Sequence, residues 1–228
     1  QRNIPGVRGT SRLSPYLRFG EISPKTIWHV SKDYSNPGTD HFVREVGWRE
    51  FSYHLMANFP FLANKPLREN FEQFPWRDSD EDYEAWTKGM TGYPIVDAGM
   101  RELYATGWMH NRVRMIVSSF LVKHLLIDWR KGERWFFDTL LDGDFCSNNA
   151  GWQWVSGGGA DAAPYYRIFN PILQGKKFDT GGRYVRKWVP EIADIPNANL
   201  HAPWELSEGQ LQLFGVKLGE TYPEPIVN

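Results

Sequence analysis

Apolar positions along this chain fall mostly on a helical period. In residues 40–59, Phe42, Val46, Phe51, Leu55 and Phe59 recur at spacings near four, which predicts an amphipathic helix. Asp40 stands ahead of it as an N-cap and Pro60 stops it. Residues 96–106 predict a short helix ended by Gly107, and residues 108–128 a long, nearly all-apolar helix with a polar first turn. Another is predicted over 132–141. From Asp142 to Gly182 the pattern breaks into Gly, Asn, Asp and Pro, with no sustained period of 2 or 3.6. Loops of that length are uncommon in compact domains unless they carry function. Phe145, Trp152, Trp154, Tyr165, Tyr166 and Phe169 within it argue for order. No alternating strand runs, internal repeats or low-complexity segments are visible. The expected fold class is all-α, with one long structured binding loop.

Composition narrows the function classes. Across 228 residues, 26 Lys and Arg nearly balance 27 Asp and Glu, which excludes a globally basic DNA-coating protein but not a local basic patch. The lone Cys146 excludes a disulfide scaffold or a cysteine-based zinc site, and fits a reducing, cytoplasmic setting. No apolar run approaches the roughly 18–20 residues of a membrane span, so no membrane partner is expected. The chain opens on Gln1 without a signal peptide, as a piece of a longer protein would. Eleven Trp, 10 Tyr and 14 Phe exceed what a core of this size requires.

Four constellations could carry chemistry. Thr10, Ser11, Arg12, Leu13 and Ser14 gather hydroxyls and a guanidinium at a predicted helix start. That is a phosphate-binding arrangement, or else a simple N-cap. Glu45, Trp48, Arg49 and Ser52 share one helix face, either to stack on and hydrogen-bond a base, or as a solvated face with a Glu45–Arg49 ion pair and Trp48 in the core. Asn111, Arg114 and Met115 lie together at the polar start of an apolar helix, with Arg112 directed elsewhere. Buried guanidinium groups need partners, and Asp142 and Asp144 are available, so a ligand cavity is expected. His110 reads as structural, with no ligand-spaced Cys or carboxylate cluster beside it. Finally, Asn148–Trp154, Arg167–Pro171 and Gln174–Asp179 interleave aromatics, amides and basic residues, as a surface for an unstacked nucleotide would. A glycine-rich loop pinned by two tryptophans is the alternative.

The segments TSRLSP, GWREF, FPW, GYPIVDAGMREL, TGWMHNRVRM, FLVKHLLIDWR, DGDFCSNNAGWQW and RIFNPILQGKKFD follow one another here as they do in the photolyase/cryptochrome family. Residues 5–205 resemble its C-terminal FAD-binding catalytic domain, with a long structured loop over the cofactor cavity. The opening GTSRLSPYLRFGEISP looks closest to bacterial photolyases that neighbour plant cryptochromes. The resemblance divides the chain into a 1–205 FAD-binding catalytic domain and a 206–228 C-terminal extension. It also implies an N-terminal α/β antenna domain that this chain lacks, so the antenna chromophore cannot be read.

Residue by residue, the resemblance implies that Thr10, Ser11, Arg12, Leu13 and Ser14 cradle the FAD phosphates and ribityl chain. Phe42 takes a cofactor-side position more often held by Trp or Gln. Arg49 approaches the FAD, Arg114 pairs with Asp142 beside the isoalloxazine, Asp144 is the flavin-edge acceptor and Asn148 faces flavin N5. Glu45, Trp48, Asn111, Met115 and Trp154 match the pocket for a flipped pyrimidine dimer, with Asn111 also counted on the cofactor side. Arg112, Arg167, Gln174 and Lys177 are candidates for flanking DNA. Trp152, Trp129 and Trp76 match an electron-transfer chain from flavin to surface. The function implied is light-driven repair of cyclobutane pyrimidine dimers in UV-damaged DNA by a monomeric lyase. Glu45 would hydrogen-bond the dimer carbonyl. The alternatives are a cryptochrome-type photoreceptor, a (6-4) photoproduct repair enzyme, or a non-enzymatic all-α nucleic-acid binder.

Overall fold

The computed structural model describes residues 2–34, 36–162, 164–165 and 167–227, so Gln1 and Tyr166 lie outside the described residues. The described residues form eleven α-helices, joined by short 3-10 turns, and no β-strand: α1 (Ser14–Arg18), α2 (Pro24–Ser31), α3 (Pro37–Asn58), α4 (Asp80–Lys88), α5 (Pro94–Thr106), α6 (Asn111–Lys123), α7 (Trp129–Thr139), α8 (Phe145–Ser156), α9 (Pro171–Phe178), α10 (Arg183–Trp188) and α11 (Glu208–Leu213). The all-α expectation is met.

Each predicted helix exists, with shifted ends. α3 begins at Pro37 because Asn36, not Asp40, is the N-cap: its Oδ1 accepts the N–H groups of Gly38 and Thr39 at 2.9 and 3.1 Å. Proline at the first position needs no N–H partner, and Asp40 sits in the first turn against the positive end of the dipole. The stretch 108–128 forms a helix only over 111–123. Its start is set by His110, whose Nδ1 accepts the Arg112 N–H, and the chain leaves helical geometry before Leu126 at φ 57°. Asp128 then caps α7 three residues earlier than the apolar pattern suggests.

The segment 142–182 corrects the expectation of a long irregular loop. α8 and α9 occupy much of it. α8 is capped by Asp144, whose side chain accepts the Ser147 N–H, and ends at left-handed Gly157, where a Cβ would be strained. It was hidden because its inner face is partly amide. Asn149 and Gln153 are buried beside Trp152 and Val155. Their side chains donate to the carbonyls of Leu62 and Lys65, and Gln153 Oε1 accepts the Leu67 N–H. An apolar count sees no period in such a helix, although the burial follows one.

The core is built around α5 and α6. α5 is buried over most of its surface, and at Gly99 a Cβ would meet Val113 at 2.4 Å, so glycine sets the close crossing. α7 crosses α8 equally closely at Gly132, where a Cβ would stand 2.2 Å from the Trp152 ring. Residues 206–228, set apart above as an extension, pack into this same core. Leu211, Val216 and Tyr222 are buried, and the Tyr222 hydroxyl donates to Asp97 at 2.6 Å. Among the described residues of 2–59 only Ile27 and Val46 are buried apolar side chains, and neither joins this core.

Candidate functional site

Helices α3, α6 and α8 enclose a cavity of about 670 Å³, within the roughly 300–1,000 Å³ of ligand sites. The structure brings twelve of the predicted residues to its lining: Glu45, Trp48, Arg49, Asn111, Arg112, Arg114, Met115, Asp142, Asp144, Asn148, Trp152 and Trp154.

Two of these contacts settle alternatives left open by the sequence. Glu45 does not pair with Arg49. It pairs with Arg2 across the cavity mouth at 2.6 Å, and Trp48 is 51% exposed rather than in the core. The α3 face is thus presented to the cavity, not spent on itself. Arg112 also lines the cavity instead of pointing elsewhere. Its Nη2 donates to Asn3 Oδ1 at 3.0 Å, and its guanidinium covers the Phe178 ring at 4.6 Å.

Arg114 and Asp142 form the expected pair, Nη2 to Oδ2 at 2.9 Å, and Arg114 Nε donates to the Met109 carbonyl at 2.7 Å. The other carboxylate oxygen, Asp142 Oδ1, is buried with no hydrogen-bond partner among the described residues, and so is Trp152 Nε1. Buried polar atoms are normally satisfied, so these two fit a polar ligand in the cavity. Asp144 caps α8 through Oδ1, and its Oδ2 accepts the Tyr53 hydroxyl. Asn148 Nδ2 donates to the Glu133 carbonyl at 2.8 Å, which leaves its Oδ1 as the atom free to accept from a ligand.

Positive charge gathers around Arg112. Burial, then the charges of Arg2 and Arg167, lower the Arg112 pKa, the mark of guanidinium groups crowded together. Burial dominates at His110 as well, where it and the neighbouring arginines hold the imidazole down at about 4.

Other predicted residues lie apart from the cavity lining. Thr10, Ser11, Arg12 and Ser14 are exposed, and Leu13 is half-buried. Arg12 adopts φ 55° and stacks its guanidinium on Trp108 at 4.2 Å. The segment is tied to the site by Arg18, whose Nε donates to the Gly143 carbonyl between Asp142 and Asp144. Phe42 is half-buried on α3. The Arg167 guanidinium faces Phe169 at 5.7 Å, Gln174 is half-buried, and Lys177 borders a shallow surface pocket with Arg183. Trp129 is buried beneath the Arg130 guanidinium, and the Trp76 ring packs on Phe74 at 4.3 Å.

Sequence reasoning missed several residues that build this site. Arg2 was hidden in a short polar run and Tyr53 among surface positions. Trp86 is fully buried, with Nε1 donating to the Val117 carbonyl and its ring edge-on to Trp152 at 6.2 Å. Glu133 is buried, accepts from Asn149 at 2.8 Å, and is raised by burial to about 7. Only Trp86 carried a signal, an apolar residue on a capped helix; the others needed the fold to bring them together.

Residues 42–228 match the family model for the FAD-binding domain of DNA photolyase. The deoxyribodipyrimidine photo-lyase of Agrobacterium fabrum is 56% identical over 231 residues, covering all of this chain and 48% of that protein. Cryptochrome-2 of Arabidopsis thaliana is 46% identical over 230 residues, covering 96% of this chain and 38% of that protein. The crystal structure of a bacterial class III photolyase from Agrobacterium tumefaciens superposes with a TM-score of 0.95 at 55% identity, over the whole chain and 48% of its own length. The chain spans about half the length of the curated relatives it matches. The segment 206–228, anchored by buried Leu211, Val216 and Tyr222, also falls inside the family match. By sequence and by structure, the chain belongs to the family of FAD-binding domains of DNA photolyase.

Proposed function

We propose that this chain is the catalytic part of a light-driven enzyme that repairs cyclobutane pyrimidine dimers in DNA. The single observation that carries the reading is that one cavity is lined by two kinds of group. Its buried part holds the Arg114–Asp142 pair with its unpartnered Oδ1 and Asp144, with Asn148 also in the lining, and its more open part holds the exposed Glu45, Trp48 and Asn111 with Met115 and Trp154.

The inner side fits FAD, which when bound and reduced supplies the light-absorbing electron donor. Asp142 Oδ1 is an acceptor for a flavin N–H, and Arg114 holds that carboxylate in place through Oδ2. Asn148, fixed through its amide nitrogen by Glu133, offers its oxygen to the flavin edge. The exposed hydroxyls and backbone of Thr10–Ser14 fit the pyrophosphate, and the Arg18–Gly143 bond ties them to the cavity wall.

On the outer side, Trp48 and Trp154 offer faces for an extruded pair of bases, and Met115 packs against their apolar ring. Asn111 can donate to or accept from a pyrimidine edge. Glu45, paired with Arg2 at the cavity mouth, would hydrogen-bond the edge of the dimer. Arg112 and Arg167 would hold flanking phosphates. Trp152, Trp129 and Trp76 are proposed to pass electrons inward when the cofactor must be reduced. Trp86 and Phe136, whose rings lie 6.2 and 5.0 Å from Trp152, insulate the inner member from water.

The likeness to plant cryptochromes supports a second reading, a blue-light receptor on the same domain. A repair assay with a dimer-containing oligonucleotide under blue light separates them, because a receptor would leave the lesion intact.

A further inference from the structure

The substrate wall and the cofactor wall are joined at one point that the proposed mechanism does not use. Tyr53 is on α3, one turn beyond Arg49, and its hydroxyl donates to Asp144 Oδ2. The same carboxylate accepts the Ser147 N–H through Oδ1 at 2.8 Å, so it is fixed from two sides, once by its own helix and once by α3. Arg49 completes the group. Its guanidinium lies over the Tyr53 ring at 4.5 Å, and Nη2 donates to the Tyr53 oxygen at 3.3 Å. Arg49 in turn is held by Glu50 at 2.5 Å.

We infer that Tyr53 is a positioning residue for the cofactor, acting through Asp144. It locks the carboxylate's rotamer and draws off part of its negative charge at the edge of the cavity. The inference rests on the reading of the inner side as an FAD site. Three observations favour a specific role over general packing. Asp144 is buried whereas Tyr53 is 39% exposed, so the hydroxyl reaches inward from a ring that contributes little to the core. A caps-only aspartate needs just the Ser147 contact, and the second donor therefore serves the carboxylate's orientation. Tyr53 is also held in its donor form, because burial and then the hydrogen bond to Asp144 push its hydroxyl up to about 12.

The geometry also makes Tyr53 a link between the two walls. Glu45, Trp48, Arg49 and Tyr53 lie along one stretch of α3, and Asp144 begins the helix that carries Asn148, Trp152 and Trp154. A shift of α3 on substrate entry would be felt first at the carboxylate beside the flavin.

The test is Tyr53→Phe, which keeps the ring under Arg49 and removes only the hydroxyl. FAD is titrated into apoprotein by fluorescence quenching, and the midpoint potential of the bound flavin is measured by spectroelectrochemistry. A hydrogen bond to a charged group lost at this site should weaken FAD binding about tenfold. The potential should move to more negative values, because the Asp144 charge is no longer shared. In an Asp144→Asn background the same substitution should change the affinity by less than about twofold, since coupled residues are not additive. The apoprotein melting temperature reports on packing and should fall by only a few degrees, as the loss of one hydrogen bond without repacking would give. Parental affinity and potential in Tyr53→Phe, or full additivity with Asp144→Asn, would overturn the role of Tyr53 and leave the FAD site standing. A parent protein that binds no FAD would overturn the FAD site and Tyr53's role together.

Discussion

Replacing Arg114 by alanine removes the only ion-pair partner of Asp142 among the described residues. The carboxylate is 4% exposed and receives Arg114 Nη2 at 2.9 Å, while its second oxygen has no partner among the described residues. Breaking a buried pair by deleting one member costs about 3–5 kcal/mol, because an uncompensated charge stays behind. Arg114 is 24% exposed, so part of its own attraction is already screened, and the loss should fall near the lower end, about 3 kcal/mol. For a domain of this size that is a drop of about 6–12 °C in melting temperature. Scanning calorimetry of the apoprotein measures it, and the flavin-to-protein absorbance ratio of purified material follows the cofactor. Arg114→Ala/Asp142→Asn tests the cause. With no charge left buried, the double variant should recover most of the stability but none of the FAD. An Arg114→Ala protein with unchanged melting and full flavin would refute the pairing.

Gly132→Ala should destabilise by about 1–3 kcal/mol in denaturant melts, because the new Cβ meets the Trp152 ring at 2.2 Å. Trp152→Phe should slow light-driven reduction of oxidised flavin by an external thiol, while chemically pre-reduced protein should still repair dimers; a parental photoreduction rate would assign the current to another aromatic. Lys123 is buried, donates to the Arg167 carbonyl at 2.9 Å, and is lowered by burial to about 8 from 10.5. Between those values the unfolded chain binds the extra proton, so stability should rise with pH from about 8 to 10.5 relative to Lys123→Met, as paired denaturant melts at the two ends would record. Asn111 and Met115 cannot donate a proton as an acid near neutral pH, so (6-4) photoproducts should survive illumination; their restoration, followed by chromatography, would reveal an unassigned acid.

Much of the cavity was legible because its residues sit at helical spacing. Glu45, Trp48 and Arg49 on α3, and Asn111, Arg114 and Met115 on α6, share faces that periodicity alone defines. The cost of a lone buried charge pointed to Asp142 or Asp144 as a partner for the guanidinium groups, and the family resemblance chose Asp142 for Arg114. What stayed hidden had physical causes. α8 buries amides in place of aliphatics, and hydrogen bonds from Asn149 and Gln153 satisfy them, so it carries no apolar stripe. The C-terminal segment looked detached because its anchors are few and far apart. Tyr222 reaches Asp97 across 125 positions, and Ile226 donates its N–H to the Thr91 carbonyl. Arg2 and Tyr53 have ordinary surface neighbours in sequence, and only the approach of α3 to α8 and to the chain start gives them partners.

The central claim is that this one cavity holds a reduced flavin and a flipped dimer together. It is tested most directly by illuminating chemically reduced, FAD-loaded protein with blue light in the presence of an oligonucleotide bearing one cyclobutane dimer, with restored bases counted by chromatography. The account predicts restoration that needs light, and its loss in Glu45→Ala without loss of flavin. A flavin-loaded parent protein that leaves the dimer intact in the light would contradict it.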